Sequence, residues 1–229
     1  MRNLTVRRGS QARAYGATAR AAGLAAALAA LTLWPALASA DAPYAALTKV
    51  QGDVQIVRGG QSSAAKEGAQ LEPGDVVRTG PDGTADLSLD ALAGCRVLPA
   101  SECGISEHKK NEMRLKLSGG RAIFNLEKLP IDAEFKVETP TAIASVRGTQ
   151  FSGNVLMGPR GARTTFSVRD DAIQILRLEG GKPVGDPVTV SAGFSCDISA
   201  GDFRTLTARQ ATGAELTVME QSGSVKTCG

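Results

Sequence analysis

Few residues in this 229-residue chain could carry out covalent chemistry, and their spacing narrows the choice further. A serine or cysteine nucleophile needs a base beside it. The single histidine, His108, sits in the charged run His108-Lys109-Lys110, which reads as a solvated loop. Paired carboxylates occur at Asp170-Asp171 and at Glu102 with Glu107, and such pairs can hydrolyse glycosides, although adjacent acids at a turn also simply cap and solvate it. Asp53, Asp75, Asp82, Asp86 and Asp90 lack the DxDxDG register of a calcium loop, and the absence of any CxxC speaks against zinc. GGRAIF does not open a helix, so no phosphate-binding loop is supported. No catalytic residue, metal ligand or cofactor is assigned on these grounds.

Two sets of residues remain. Arg147 is the one charge in the stretch TPTAIASVRGTQF at 139–151. Its guanidinium could tie a turn together by bridging to a carboxylate or to strand-end carbonyls, or it could face a groove and bind an anionic partner such as a peptide carboxylate or a cell-wall group. Flanking Val146, Gly148 and Phe151 read as core and backbone-shape residues, which favours the structural role. The second set is the four cysteines, Cys95, Cys103, Cys196 and Cys228.

What the cysteines do depends on the compartment. The first forty residues carry Arg2, Arg7, Arg8, Arg13 and Arg20 with no acid, then an alanine-rich apolar stretch, then Ala38-Ser39-Ala40. That is the pattern of a secretory signal peptide cleaved between Ala40 and Asp41; an uncleaved signal anchor is the competing reading. Gly-Ser after the paired arginines favours general secretion over the twin-arginine route.

All four cysteines follow the cleavage site, where disulfides are the default. Three pairings are possible. Cys95 with Cys103 brackets a short excursion and Cys196 with Cys228 could tie down the C-terminus, worth about 2.5 and 3.5 kcal/mol by chain entropy.

The full chain has 26 Lys and Arg against 23 Asp and Glu, and five of the arginines lie in the first forty residues, so the remainder is slightly acidic. A nucleic-acid partner, which needs a clustered cationic face, is not expected. The lone Trp34 falls in the signal, which weakens a carbohydrate-stacking surface.

The elements that must position these residues are strands. Short alternating runs are punctuated by Gly, Pro and Asp, and no segment keeps a 3.6-residue period. Val50, Val54 and Ile56 share an inward face, as do Ala85, Leu87 and Leu89, then Met113, Leu115 and Leu117, then Ala122, Phe124 and Leu126. Phe135 with Val137, Phe166 with Val168, Ile173 with Ile175, and Val188 with Val190 continue the series. Pro73-Gly74-Asp75, Pro81-Asp82-Gly83 and Gly119-Gly120 read as turns, and SEHKKNE at 106–112 as a charged loop. About ten short strands in an all-β roll or sandwich follow. TARQATGAELTVMEQ reads as a short helix or an edge strand. The expected organisation is a signal at 1–40, one all-β domain at 41–203, and a C-terminal extension at 204–229 tied back by a disulfide.

The order of the pieces resembles the FecR domain family. The resemblance lies in the VxGxVxIxRGG-like opening at 50–60, PGDVVRT at 73–79, LSL at 87–89, LKLSGGRAIFNL at 115–126, ETPTAIASVRGTQF at 138–151 and SAG at 191–193. It implies an extracytoplasmic all-β domain without known catalytic chemistry. The family's iron-siderophore transducers carry a cytoplasmic helical anti-sigma segment before a membrane helix. Here only twenty polar residues precede the apolar stretch, and the four cysteines are not part of the family pattern.

The expectation is an exported, non-enzymatic binding or scaffold module in the periplasm of a Gram-negative bacterium, its partner an envelope protein or cell-wall component, with strand edges open to β-augmentation. A ligand-sensing component of an envelope signalling system is the alternative, and a carboxylate-dependent envelope hydrolase a third.

Overall fold

The structure, a computed structural model, describes residues 45–89, 93–109, 111–201 and 206–220. The signal peptide, its Ala40/Asp41 cleavage site, Asp90 and Cys228 lie outside the described residues.

Among the described residues the chain forms seventeen strands and one short helix, all-β as expected but more finely divided than about ten strands. They make two facing sheets. Sheet I runs in the order β4 (Gln70–Leu71), β1 (Ala45–Gln51), β6 (Thr84–Leu89), β7 (Ala93–Val97), β9 (Glu112–Leu126), β12 (Gln150–Gly158), β13 (Gly161–Val168), β16 (Phe194–Ser199), β17 (Ala208–Gln210). Sheet II runs β3 (Gln61–Ala64), β2 (Val54–Arg58), β5 (Val76–Thr79), β8 (Glu102–Lys109), β9, β10 (Glu134–Glu138), β11 (Ala142–Val146), β14 (Ala172–Glu179), β15 (Lys182–Ser191).

Strand β9 therefore belongs to both sheets and stands in the middle of each. Gly119-Gly120, expected to be a turn between two strands, is instead a bend within one 15-residue strand. Gly120 has φ +76°, and a Cβ there would lie 2.5 Å from the Ala100 carbonyl oxygen, so the strand passes this corner only because the side chain is missing.

The expected inward faces fill the space between the sheets. Leu87, Leu89, Leu115, Leu117, Phe124, Phe135, Val137, Phe166, Val168, Ile173 and Ile175 are all buried. Phe124 stacks on Phe151 with ring centroids 4.8 Å apart, and Phe135 and Phe166 flank that pair at 6.2 and 6.4 Å.

The SEHKKNE run is not a loop. Most of it lies in β8 and it pairs with β9 through Glu107↔Arg114 and Lys109↔Glu112. Glu112 of the run is engaged on sheet II, where Arg114 meets it at 2.9 Å and Lys136 at 3.1 Å. Charged residues read as a loop only until a neighbouring strand supplies their counterions.

The C-terminal segment is part of the sandwich. β17 extends sheet I, and α1 (Gly213–Glu220) lies over it with Met219 buried. Thr212 and Glu215 form a capping box: the Glu215 carboxylate accepts the Thr212 N–H at 2.7 Å, and the Glu215 N–H donates to Thr212 Oγ1 at 3.3 Å. Arg209 secures it with bonds of 3.0 and 2.7 Å to Glu215 and 2.8 Å to Asp197.

Candidate binding cleft around Arg147

The VRGT segment is where the chain leaves sheet II at the end of β11 and enters sheet I at the start of β12. Val146 and Phe151 anchor the two sides in the core, each no more than 1% exposed. Thr149 is buried and its hydroxyl donates to the Asp170 carbonyl. Gly148 adopts φ +142°, and a Cβ there would lie 2.8 Å from Lys128 Cα and 3.0 Å from the Glu127 carbonyl oxygen. The crossing thus presses against the β9–β10 connection, a contact closed by the Leu129 N–H donating to the Arg147 carbonyl at 2.9 Å.

Arg147 itself contributes only its backbone to this joint. Its side chain is exposed, and among the described residues its guanidinium has no hydrogen bond or ion pair. The structural role expected for it, a bridge to a carboxylate or to strand-end carbonyls, is not what holds the turn; Gly148, Thr149 and the Leu129–Arg147 backbone bond do that. The guanidinium instead lines a cleft of about 650 Å³ at the end of sheet II, where β11 and β14 stop pairing after Ser145↔Gln174.

Lys128 lines the same cleft, also exposed and also without a side-chain partner among the described residues. Leu129, Val146 and Ile173 contribute apolar surface, and Ser145, Gln174 and Thr189 contribute polar groups. Two acids are present. Glu134 is already engaged by Lys136 at 2.9 Å, whereas Asp171, held at φ +55°, lies on the rim-forming turn between β13 and β14. A negatively charged group entering here would meet two unneutralised cations above an apolar wall.

Lys128, Gln174 and Thr189 were not singled out from sequence. They come from three separate connections and strands, and nothing local to each marks them as neighbours. Arg147 was legible because it is a lone charge in an apolar motif.

The other motif residues are structural. Asp75 of PGDVVRT is 2% exposed and accepts Arg58 Nε at 2.8 Å, Arg58 Nη2 at 2.6 Å and the Glu72 N–H at 2.8 Å. Burial pushes its carboxyl up, but those bonds and the Arg58 charge outweigh that and hold it below the usual value. Thr79 donates to the Leu98 carbonyl at 2.6 Å and accepts the Ser101 N–H at 3.0 Å, fastening the β7–β8 crossing. Thr139, Thr141 and Thr164 share a buried chain of hydroxyl bonds of 2.7 and 3.0 Å that joins the two sheets.

Of the carboxylate pairs, Glu102 is held by Arg78 at 2.8 Å and Glu107 faces Arg114 at 4.0 Å. His108 lies in β8 rather than in a loop. Cys95, Cys103 and Cys196 are buried thiols, with no disulfide joining any two of them in the structure. Of the outer edges, β15 carries Pro183 and Pro187, which blunt its first half, and β3 is a four-residue polar strand.

Residues 75–174 match the family model described as FecR protein. No curated protein matches the chain. Two crystal structures of a "putative anti-sigma factor" from Parabacteroides distasonis ATCC 8503, at 2.50 and 1.65 Å resolution, share the fold with a TM-score of 0.52 at 12% identity. Each superposition covers 64% of this chain and 64% or 65% of that one, so the present chain spans less than two thirds of their length. At such identity the likeness concerns the fold alone. The residues that carry the sequence resemblance are joints of that fold, and over residues 75–174 the chain is similar to the FecR domain.

Proposed function

We propose that the chain is an exported, non-enzymatic binding or scaffold module of the cell envelope, located in the periplasm, whose β-framework presents the Arg147 cleft to an anionic group on an envelope protein or cell-wall component. The observation that carries this reading is that Arg147 and Lys128 line one cleft with no side-chain partner among the described residues. Arg58 and Arg78, the arginines of the first two motif segments, are by contrast spent on carboxylates of the same chain. An arginine left free beside a free lysine is arranged for a group from outside.

A ligand-sensing component of an envelope signalling system is the second reading. The FecR match and the fold shared with the Parabacteroides chain favour it.

The test is recovery of envelope partners on the immobilised chain, wild type against Arg147→Ala and Lys128→Ala. Losing one charge-assisted contact of about 1.5–3 kcal/mol should weaken capture roughly 10- to 100-fold while the circular dichroism spectrum is unchanged. Equal capture by the wild type and both variants would remove the cleft from the binding surface.

A further inference from the structure

The outer face of sheet I carries a second concavity. Strand alternation turns Leu87, Cys95, Phe124, Phe151 and Phe166 into the core, so the residues next to them in each strand face outward. The register lines these outward residues up in two adjacent rungs. One places Lys49, Asp86, Arg96, Ile123, Ser152 and Ser167 side by side across β1, β6, β7, β9, β12 and β13. The next pairs Gln51 with Thr84, and Arg121 with Asn154 and Asn154 with Thr165.

Two hollows of about 360 and 140 Å³ lie along these rungs, and Arg121 and Val218 of α1 line both. The larger one brings three cations, Lys49, Arg96 and Arg121, to the single carboxylate of Asp86. Arg96 takes both oxygens of that carboxylate, at 2.6 and 2.7 Å. Lys49 and Arg121 are left over, and neither side chain has a hydrogen bond or ion pair among the described residues. Arg121 is also half-buried, where an arriving anion is worth more than at the open surface.

The smaller hollow is walled by hydroxyl and amide groups. Thr165 donates to Asp197 at 2.6 Å and Ser167 accepts from Ser195 at 2.8 Å, whereas the Ser152 hydroxyl and the Asn154 amide have no partner among the described residues. Its one acid, Glu215, is already neutralised by Arg209 at 2.7 Å. No described aromatic ring lines either hollow.

We propose that this groove is a binding site for a small hydroxylated oxyanion, a hydroxy acid or a sugar phosphate, with its acid group held by Arg121 and Lys49 and its hydroxylated body reaching Ser152 and Asn154. A guanidinium fork pairs with a carboxylate or a phosphate alike. The unmet hydroxyl and amide beyond it select the carrier: a hydroxylated body satisfies them, and an apolar one would bury them without partners. The groove belongs to sheet I and the Arg147 cleft to sheet II, so the proposal stands or falls separately from what that cleft binds.

The test titrates the isotope-labelled full chain with gluconate, glucose 6-phosphate, glucose and inorganic phosphate and follows the backbone amides by NMR. Saturable shifts at Arg121 and Asn154 are expected with gluconate or glucose 6-phosphate, the tighter of the two identifying the acid group. Glucose lacks the charge and inorganic phosphate lacks the body, so each should bind at least about tenfold more weakly. Arg121→Ala should weaken binding roughly 10- to 100-fold and Asn154→Ala roughly 3- to 10-fold, with Arg147→Ala unchanged. Lys49→Ala, a change at an exposed position, should weaken it as well and keeps the test decisive if Arg121→Ala does not fold.

The absence of a saturable shift with both acids would overturn the assignment. So would inorganic phosphate binding as tightly as the better acid, which would reduce the groove to an unselective anion patch, or a loss in Arg147→Ala equal to that in Arg121→Ala.

Discussion

Gly148→Ala and Arg147→Ala are neighbouring substitutions that should behave in opposite ways. An alanine Cβ at 148 would sit 2.8 Å from Lys128 Cα and 3.0 Å from the Glu127 carbonyl oxygen, both backbone atoms that cannot swing aside. At φ +142° the residue also occupies a region that costs a non-glycine residue of order 1–3 kcal/mol before any clash is counted. Relief requires moving the β9–β10 connection, which breaks the 2.9 Å Leu129–Arg147 backbone bond at about 1 kcal/mol more. The sum is about 2–4 kcal/mol, or roughly 5–15 °C in Tm for a domain of this size.

Arg147→Ala removes an exposed side chain without partners and should change stability by no more than about 0.5 kcal/mol. Urea unfolding of both variants beside the wild type decides the matter. A Gly148→Ala midpoint equal to wild type would show that the crossing tolerates a side chain. A loss above about 2 kcal/mol in Arg147→Ala would return the arginine to a structural role and undercut the binding reading.

Asp75→Asn should destabilise by about 2 kcal/mol, since a buried carboxylate loses its charge-assisted bonds to Arg58, a figure kept low because Arg58 is half exposed; a urea midpoint within error of wild type would contradict it. Glu215 is held down to about 2 from 4.5, first by the Arg209 hydrogen bonds. Because its folded value lies below the unfolded one, its contribution is complete above pH 4.5 and is lost as pH falls toward 2. The gap in urea midpoint between wild type and Glu215→Gln should therefore close over that window, and a gap independent of pH would be the contrary result.

The inward faces were legible because one buried side fixes a period of two, and Phe124, Phe135, Phe166 and Ile175 all lie where alternation put them. What the residues could not reveal was which sheet each run joins. Glycine, proline and aspartate serve hairpins and sheet crossings equally, so Gly119-Gly120 looked like a hairpin turn and is a bend. The TGAE capping box was present in the sequence, but with only eight residues following, the helix could be told from an edge strand only by the sheet beneath it. Arg147 stood out by charge. Its companion Lys128 is one of 26 cations, and only the Gly148 crossing brings its loop alongside.

Strand β9 divides the domain into two halves that are unequal in a way the static fold conceals. β1 to β8 lie on one side of it in both sheets, and β10 to β17 on the other. The half nearer the N-terminus ends on β9 and so carries its own finishing strand as it leaves the ribosome. The later half has none, and every one of its strand pairs is ultimately templated on an edge that the first half has already built. A chain interrupted after Leu126 would retain a two-layered unit with one adhesive border, whereas a fragment beginning at Glu134 would expose β10 and β12 with nothing to receive them. Strand pairing between the two halves, among the described residues, runs through that one shared strand.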